Sequence, residues 1–270
     1  DTADVYGTGH SETVLGRALA GKRERVVIAT KFGYRYDEAR KSVSGADVSP
    51  AYIRQAVAAS LRRLGTDYID LYQIHVGALS DEEAEAAAGA LEELAEAGTI
   101  RAWGWSTDDA RAAANMTVYP HFVAVQQELS VFCDGPGMLA LCQAKGLLSL
   151  NRSPLAMGFL TGKFGPNTVL AASDVRGAGH SWVRFFRDGR PLPAFLARLD
   201  AVREVLQSDG RTLAQGALGW NLARSPTTIP IPGFKSEAQI RNNLGALQKG
   251  PLPPDAMAEI DRLLSVDEDA

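Results

Sequence analysis

Cysteine is scarce in this chain: two in 270 residues, Cys133 and Cys142, cannot build a disulfide framework, which suits a reducing cytoplasm. No apolar run approaches the roughly 20 residues that cross a bilayer, so no membrane span is expected. Basic blocks are missing too, and a net charge of -4 with a pI near 5.6 argues against a nucleic-acid surface. The four His, at 10, 75, 121 and 180, have no spacing that suggests a metal site, and none is expected. The G-x-G-x-x-G spacing of open dinucleotide-binding sheets is absent. "GFLTGKF" at Gly158 is one spacer short of a phosphate loop, with Phe164 where Ser or Thr should follow the Lys. With no linker, low-complexity tract or shift in composition, residues 1–270 read as a single domain.

What is present is an alternation of strands and helices. At 46% hydrophobic the chain can bury a large core. Runs rich in β-branched and aromatic residues predict six strands: "VVIATKFG" from Val26, "YIDLYQIH" from Tyr68, "IRAWGWS" from Ile100, "FVAVQQELS" from Phe122, "GLLSLNRSPL" from Gly146 and "TTIPIPG" from Thr227. Between them stand helix signals. Ser11 opens "SETVLGRALA", Pro50 follows Ser49 in a helix that stops at Gly65, and Ser80 with Glu83, Thr212 with Gln215 and Ser236 with Gln239 form capping-box patterns. Strict alternation means parallel strands, and with the open sheet's fingerprint missing, an α/β fold of the (β/α)8 TIM-barrel class is expected. Six strands fall two short of eight. Asp1 then reads as the end of a strand, and the expectation is an N-terminally incomplete barrel, lacking its first strand and helix and most of its second strand.

Polar groups at strand ends carry the candidate chemistry, because in a barrel the carboxyl ends of the strands hold the functional residues. These are Asp1, Tyr6 in the loop that follows it, Lys31 in "ATKFG" and His75 in "LYQIH". An ammonium on an apolar strand needs a counter-charge, and Asp1 is the natural one. A neighbouring ammonium lowers the pKa of a phenol, which suits Tyr6 to proton donation. Singly, each has a plainer reading as a packing tyrosine, a hydrogen-bonded histidine or a lysine reaching for water; together they point to a site.

"DTADVYG", "ATKFG" and "YIDLYQIH" resemble the aldo-keto reductase family over essentially the whole chain. The resemblance implies a (β/α)8 barrel with an NADPH/NADP+ cofactor and an Asp, Tyr, Lys and His tetrad falling on Asp1, Tyr6, Lys31 and His75. It also implies about 40–50 upstream residues, enough for a strand, a helix and another strand. The implied activity is reduction of an aldehyde or ketone to an alcohol in the cytoplasm, on a small-molecule carbonyl substrate. The rival from another class is a cofactor-binding regulatory barrel subunit with little turnover.

The resemblance puts cofactor contacts at Ser106, Gln126, Arg152, Ser153, Leu155, Gly158, Leu160, Lys163, Gly233, Lys235, Gln239, Asn242 and Asn243, with Gln127 the alternative to its neighbour. The helix opening at Ser236 offers free N–H groups and a positive dipole end to a phosphate, and Lys235 with Arg241 favours a 2'-phosphate, hence NADPH over NADH. Three positions depart from the family: Thr107 stands where Asn is usual, Val76 and Gly77 follow the His in place of an aromatic and Pro, and Leu129 stands where Tyr is common. The segment from Gly165 to Pro193 reads either as a mobile lid, with Trp182, Phe185 and Phe186 folding over a ligand, or as a loop packed permanently by those aromatics.

Overall fold

Helix ends follow the start and stop signals closely. The computed structural model describes residues 1–265. In chain order its elements are α1 (His10–Leu19), β1 (Ala29–Phe32), β2 (Tyr34–Asp37), β3 (Ser42–Ala46), α2 (Pro50–Leu64), β4 (Ile69–Ile74), α3 (Asp81–Glu96), β5 (Ile100–Ser106), α4 (Ala110–Met116), β6 (Phe122–Glu128), α5 (Pro136–Lys145) and β7 (Leu148–Arg152). There follow β8 (Phe186–Arg187), β9 (Arg190–Pro191), α6 (Pro193–Leu206), α7 (Leu213–Arg224), β10 (Thr228–Pro230), α8 (Glu237–Lys249) and α9 (Pro254–Ser265). Ser49 caps α2 through the Tyr52 N–H, and Gly65 ends it in the left-handed conformation at φ 65°. Both halves of the capping box form at Ser80–Glu83 and at Thr212–Gln215. Two starts differ from expectation. Helix α1 begins at His10 behind a left-handed Gly9, and at α8 the Gln239 side chain accepts from the Lys235 N–H instead of closing a box on Ser236.

All six expected strands are present, β5 at its expected bounds and the others shortened at one or both ends, and the hairpins β2–β3 and β8–β9 are additions that the alternation did not announce. The chain falls into two compact units: Asp1–Gln127 with Pro136–Leu150, and Glu128–Gly135 with the chain from Asn151 onward.

In the first unit β1, β4, β5 and β6 pair in that order and in parallel. The period-2 alternation of a strand divides their side chains between two faces. Phe32, Tyr72, Ile74, Trp103 and Trp105 pack under the helices in the main core. On the other face Ala29, Leu71, Ala124 and Leu150 make a small apolar layer. One step further along the strands that same face carries Lys31 and Gln73, paired in register, and then Ser106 beside Gln126. Polar groups thus gather toward the strands' carboxyl ends. Gly104 permits this close packing, since a Cβ there would lie 2.6 Å from the Ala124 carbonyl oxygen.

In the second unit α6 packs on α7 and α9, and α7 on α8. The α6–α7 approach depends on Gly216, where a Cβ would lie 1.9 Å from the Leu206 carbonyl oxygen. Gly216→Ala should therefore destabilise the protein by about 1–3 kcal/mol, the usual cost of overpacking a fixed backbone contact, despite alanine's better helix propensity. A thermal melt reads this as a lower Tm, and an unchanged or higher Tm would contradict it. No helix among the described residues is long and apolar enough to cross a membrane.

Candidate active site

The opening residues run beside β1: the Thr2 N–H donates to the Ala29 carbonyl (2.9 Å) and the Asp4 N–H to that of Lys31 (3.1 Å). This register brings Asp1 to Lys31. The Lys31 ammonium, fully buried, donates to Asp1 Oδ1 at 2.6 Å and to the Thr2 carbonyl at 2.7 Å. The other carboxylate oxygen, Oδ2, accepts from the Gln126 amide at 3.0 Å and the Gln73 amide at 3.4 Å. Burial pushes the Lys31 pKa down to about 7, and the Asp4 carboxylate opposes that push.

The Lys31 nitrogen lies 5.4 Å from the centroid of the Tyr6 ring. Tyr6 meets His75 edge-on at 5.7 Å, and Tyr34 meets the same imidazole edge-on at 5.4 Å. The His75 peptide is pinned by its N–H to the Phe32 carbonyl at 2.7 Å. Tyr6 is 44% exposed, whereas Lys31 is sealed. A phenol open to an incoming molecule, with an ammonium behind it and an imidazole beside it, can deliver a proton to an oxygen acceptor.

Asp1, Tyr6, Lys31 and His75 are thus brought together, and Gln73 joins them. Sequence reading passed over Gln73. Its signal was its place two residues before His75, hence on the same strand face. Of the two adjacent glutamines, Gln126 reaches Asp1 and Gln73, while Gln127 donates to Ser149 Oγ. Ser106 lies in register with Gln126. The Thr107 hydroxyl donates to the Gly77 carbonyl and accepts from the Asp109 N–H, so in this chain it serves the turn that starts α4.

The second unit holds a cavity of about 660 Å³ lined by Ser153, Leu155, Gly158, Lys163, Gly233, Lys235, Gln239, Asn242 and Asn243, together with Met157, Arg176 and Phe234. Its walls carry three cations, Lys163, Arg176 and Lys235. Burial lowers the Lys163 pKa, and the like charges of Arg176 and Lys235 lower it further. Asp174 is the carboxylate facing them; hydrogen bonds from Arg176 hold its pKa well down. The Arg176 guanidinium also donates to the Met157 carbonyl at 3.0 Å. Gly158, at φ 88°, keeps a side chain off the Lys163 ammonium, which a Cβ would approach to 3.2 Å.

Five expected contacts lie outside that lining: Ser106 and Gln126, which belong to the first unit, and Leu160, Arg152 and Arg241. Leu160 is fully buried. Arg152 pairs with Glu128 at 3.4 Å, and Glu128 also binds Arg184 at 2.7 Å. Arg241 is engaged along its own helix by Glu237. Lys163 and Arg176 stand with Lys235 in the lining instead.

The aromatics of the 165–193 segment correct the lid expectation. Phe185 and Phe186 are buried and pack with Phe132, Phe159, Phe164 and Phe195, the Phe185–Phe195 centroids being 4.9 Å apart. Trp182 alone of the three stays exposed, stacked on His180 at 5.5 Å.

The sequence profile described as "Aldo/keto reductase family" matches residues 1–265. "Aldo-keto reductase yakc [NADP(+)]" of Schizosaccharomyces pombe is 33% identical over 261 residues, covering 92% of this chain and 73% of that one. Among solved structures, the glycerol dehydrogenase AKR11B4 of Gluconobacter oxydans aligns with a TM-score of 0.85 at 29% identity, over 98% of this chain and 80% of its own. An aldo/keto reductase from Klebsiella pneumoniae in complex with NADP and acetate aligns at a TM-score of 0.69 and 28% identity, over 97% and 78%.

Proposed function

The chain belongs to the aldo/keto reductase family, an oxidoreductase family with the (β/α)8 barrel fold, and on that premise we propose that it reduces an aldehyde or ketone to an alcohol with NADPH. The observation that carries the reading is the buried Lys31–Asp1 pair behind the exposed Tyr6 phenol. In this reading the substrate is a small-molecule carbonyl, and the chain works as a single cytoplasmic domain, residues 1–270.

NADPH supplies the hydride. The residues of the chain bind, orient and protonate. Tyr6 donates its phenol proton to the carbonyl oxygen as negative charge develops there, Lys31 stabilises the resulting phenolate, and Asp1 holds Lys31 in place. His75 orients the carbonyl by a hydrogen bond. Ser106 and Gln126 are assigned to the nicotinamide amide, and Arg152 to the ring. Leu160, buried within the 3-10 turn Ala156–Thr161, would act only by shaping the backbone.

The cavity of the second unit fits the phosphate groups of the cofactor on physical grounds. Three cations line it, one of them, Arg176, bonded to Asp174, and the first turn of the 13-residue α8, adjoining Lys235, directs its dipole's positive end to an anion. Lys163 and Lys235 are the natural partners of a 2'-phosphate. Replacing both by Ala should raise the Kd for NADPH by about 10–100-fold, in line with the loss of charge-assisted hydrogen bonds, and that for NADH far less. Equilibrium binding of the two cofactors tests this; equal losses would remove these lysines from cofactor choice.

A further inference from the structure

We propose that Gln73, outside the four strand-end groups, is a positioning residue that fixes what Gln126 can offer a ligand. By taking up one N–H of that side chain it leaves only the carbonyl oxygen, and the site then selects a cofactor head group that donates a hydrogen bond there. The selection at the cofactor rests on the reductase reading; the bridge between the two glutamines does not.

Gln73 lies in β4, in register with Lys31 on β1, and is fully buried. Two residues earlier on the same strand face, Leu71 belongs to the small apolar layer, so a hydrocarbon side chain suits that face. A buried amide there is costly unless both its ends are bonded. Both are. Its Nε2 donates weakly to Asp1 Oδ2 at 3.4 Å, and its Oε1 accepts from Gln126 Nε2 at 3.3 Å.

The directions of these bonds are forced. Asp1 Oδ1 accepts from the Lys31 ammonium at 2.6 Å, and an ionised carboxylate has no hydrogen to give. Both amides must therefore turn their nitrogens to Asp1 Oδ2, and the contact between them runs from the Gln126 N–H to the Gln73 carbonyl oxygen. A flipped Gln73 would set its oxygen against the carboxylate and its NH2 against that of Gln126.

A primary amide has two N–H groups and one carbonyl. Gln126, itself buried, spends one N–H on Asp1 at 3.0 Å and the other on Gln73. What it can still do for a ligand is accept. The carboxamide NH2 of nicotinamide donates to such an oxygen, whereas a head group presenting only an acceptor sets lone pairs against lone pairs. Ser106, in register with Gln126, carries a hydroxyl that both gives and takes, and so does not discriminate.

The test measures equilibrium Kd values for NADP+ and for its 3-acetylpyridine analogue, in which a methyl group replaces the carboxamide NH2. The wild type should bind the analogue about 3–10-fold more weakly, the worth of one hydrogen bond. In Gln73→Met, similar in length but with no N–H or carbonyl, the freed Gln126 N–H can give to the acetyl oxygen, and the preference should fall to about twofold or less. Adenosine 2',5'-bisphosphate, which lacks the nicotinamide, should bind both proteins alike. A merely structural role would weaken the two cofactors together and keep their ratio; the same ratio in both proteins would overturn the proposal. In cofactor-free protein, both side-chain N–H protons of Gln126, identified on 15N NMR by their loss in Gln126→Met, should exchange slowly, and one of them faster in Gln73→Met. Fast exchange of one proton already in the wild type would overturn the bridge, and this measurement decides alone should Gln73→Met not fold. Failure of every form to bind NADP+ would sink the reductase reading and leave the NMR outcome standing.

Discussion

Tyr6→Phe should lower kcat/KM for carbonyl reduction by about 10²–10⁴-fold, the range that a positioned general acid contributes. The Kd for NADPH should stay within about twofold, because the hydroxyl removed acts in the transition state and not in cofactor binding. The fold should survive, since the residue is 44% exposed and the ring's contacts with His75 and the Lys31 ammonium are kept. Steady-state kinetics with a cofactor titration separates the two effects. Reduction at an undiminished rate would show that the proton comes from elsewhere.

Lys31→Met should be the next most damaging change, and it should act on stability as well as rate. The ammonium donates to Asp1 and to the Thr2 carbonyl, both of which lose their cation. Removing one partner of a buried pair costs about 3–5 kcal/mol where the remaining charge is uncompensated. Here the cost should fall at or below the lower end, since Asp1 keeps the Gln126 and Gln73 amides and is partly solvated. The rate should fall about 10²–10³-fold, as expected when a preorganised charge is removed from a developing anion. A fall in Tm with full activity would leave Lys31 as a structural residue only.

The barrel class and the meeting of Asp1, Tyr6, Lys31 and His75 could be foreseen for different physical reasons. Parallel strands follow from strict alternation, and helix ends such as Ser49, Ser80 and Thr212 follow from local capping that the sequence spells out. The four polar groups could be singled out because each is expensive on an apolar strand or loop. Their neighbours were harder to see. Gln73 gains meaning only from partners more than 50 residues away, Asp1 and Gln126, and a single buried amide carries no mark in the sequence.

The same distance problem limits what else could be read. Arg241 and Lys235 look alike on paper, yet Glu237, one helical turn before Arg241, claims that guanidinium. Lys163 and Arg176 lie far from α8 in sequence and join Lys235 only through folding. In the 165–193 segment, glycine content suggested a poorly packed loop; Phe132, Phe159 and Phe195, supplied by other parts of the chain, pack its phenylalanines instead. Local composition had no access to those partners.

The central claim is that this chain turns over a carbonyl, with Tyr6 as the acid. The most direct measurement follows NADPH consumption and alcohol formation together across a panel of aldehydes and ketones, for the wild type and Tyr6→Phe at equal cofactor saturation. The account predicts one alcohol formed per NADPH consumed by the wild type and almost none by Tyr6→Phe. NADPH bound tightly by both proteins but consumed by neither would contradict it, and would mark the chain as a cofactor-binding regulatory subunit.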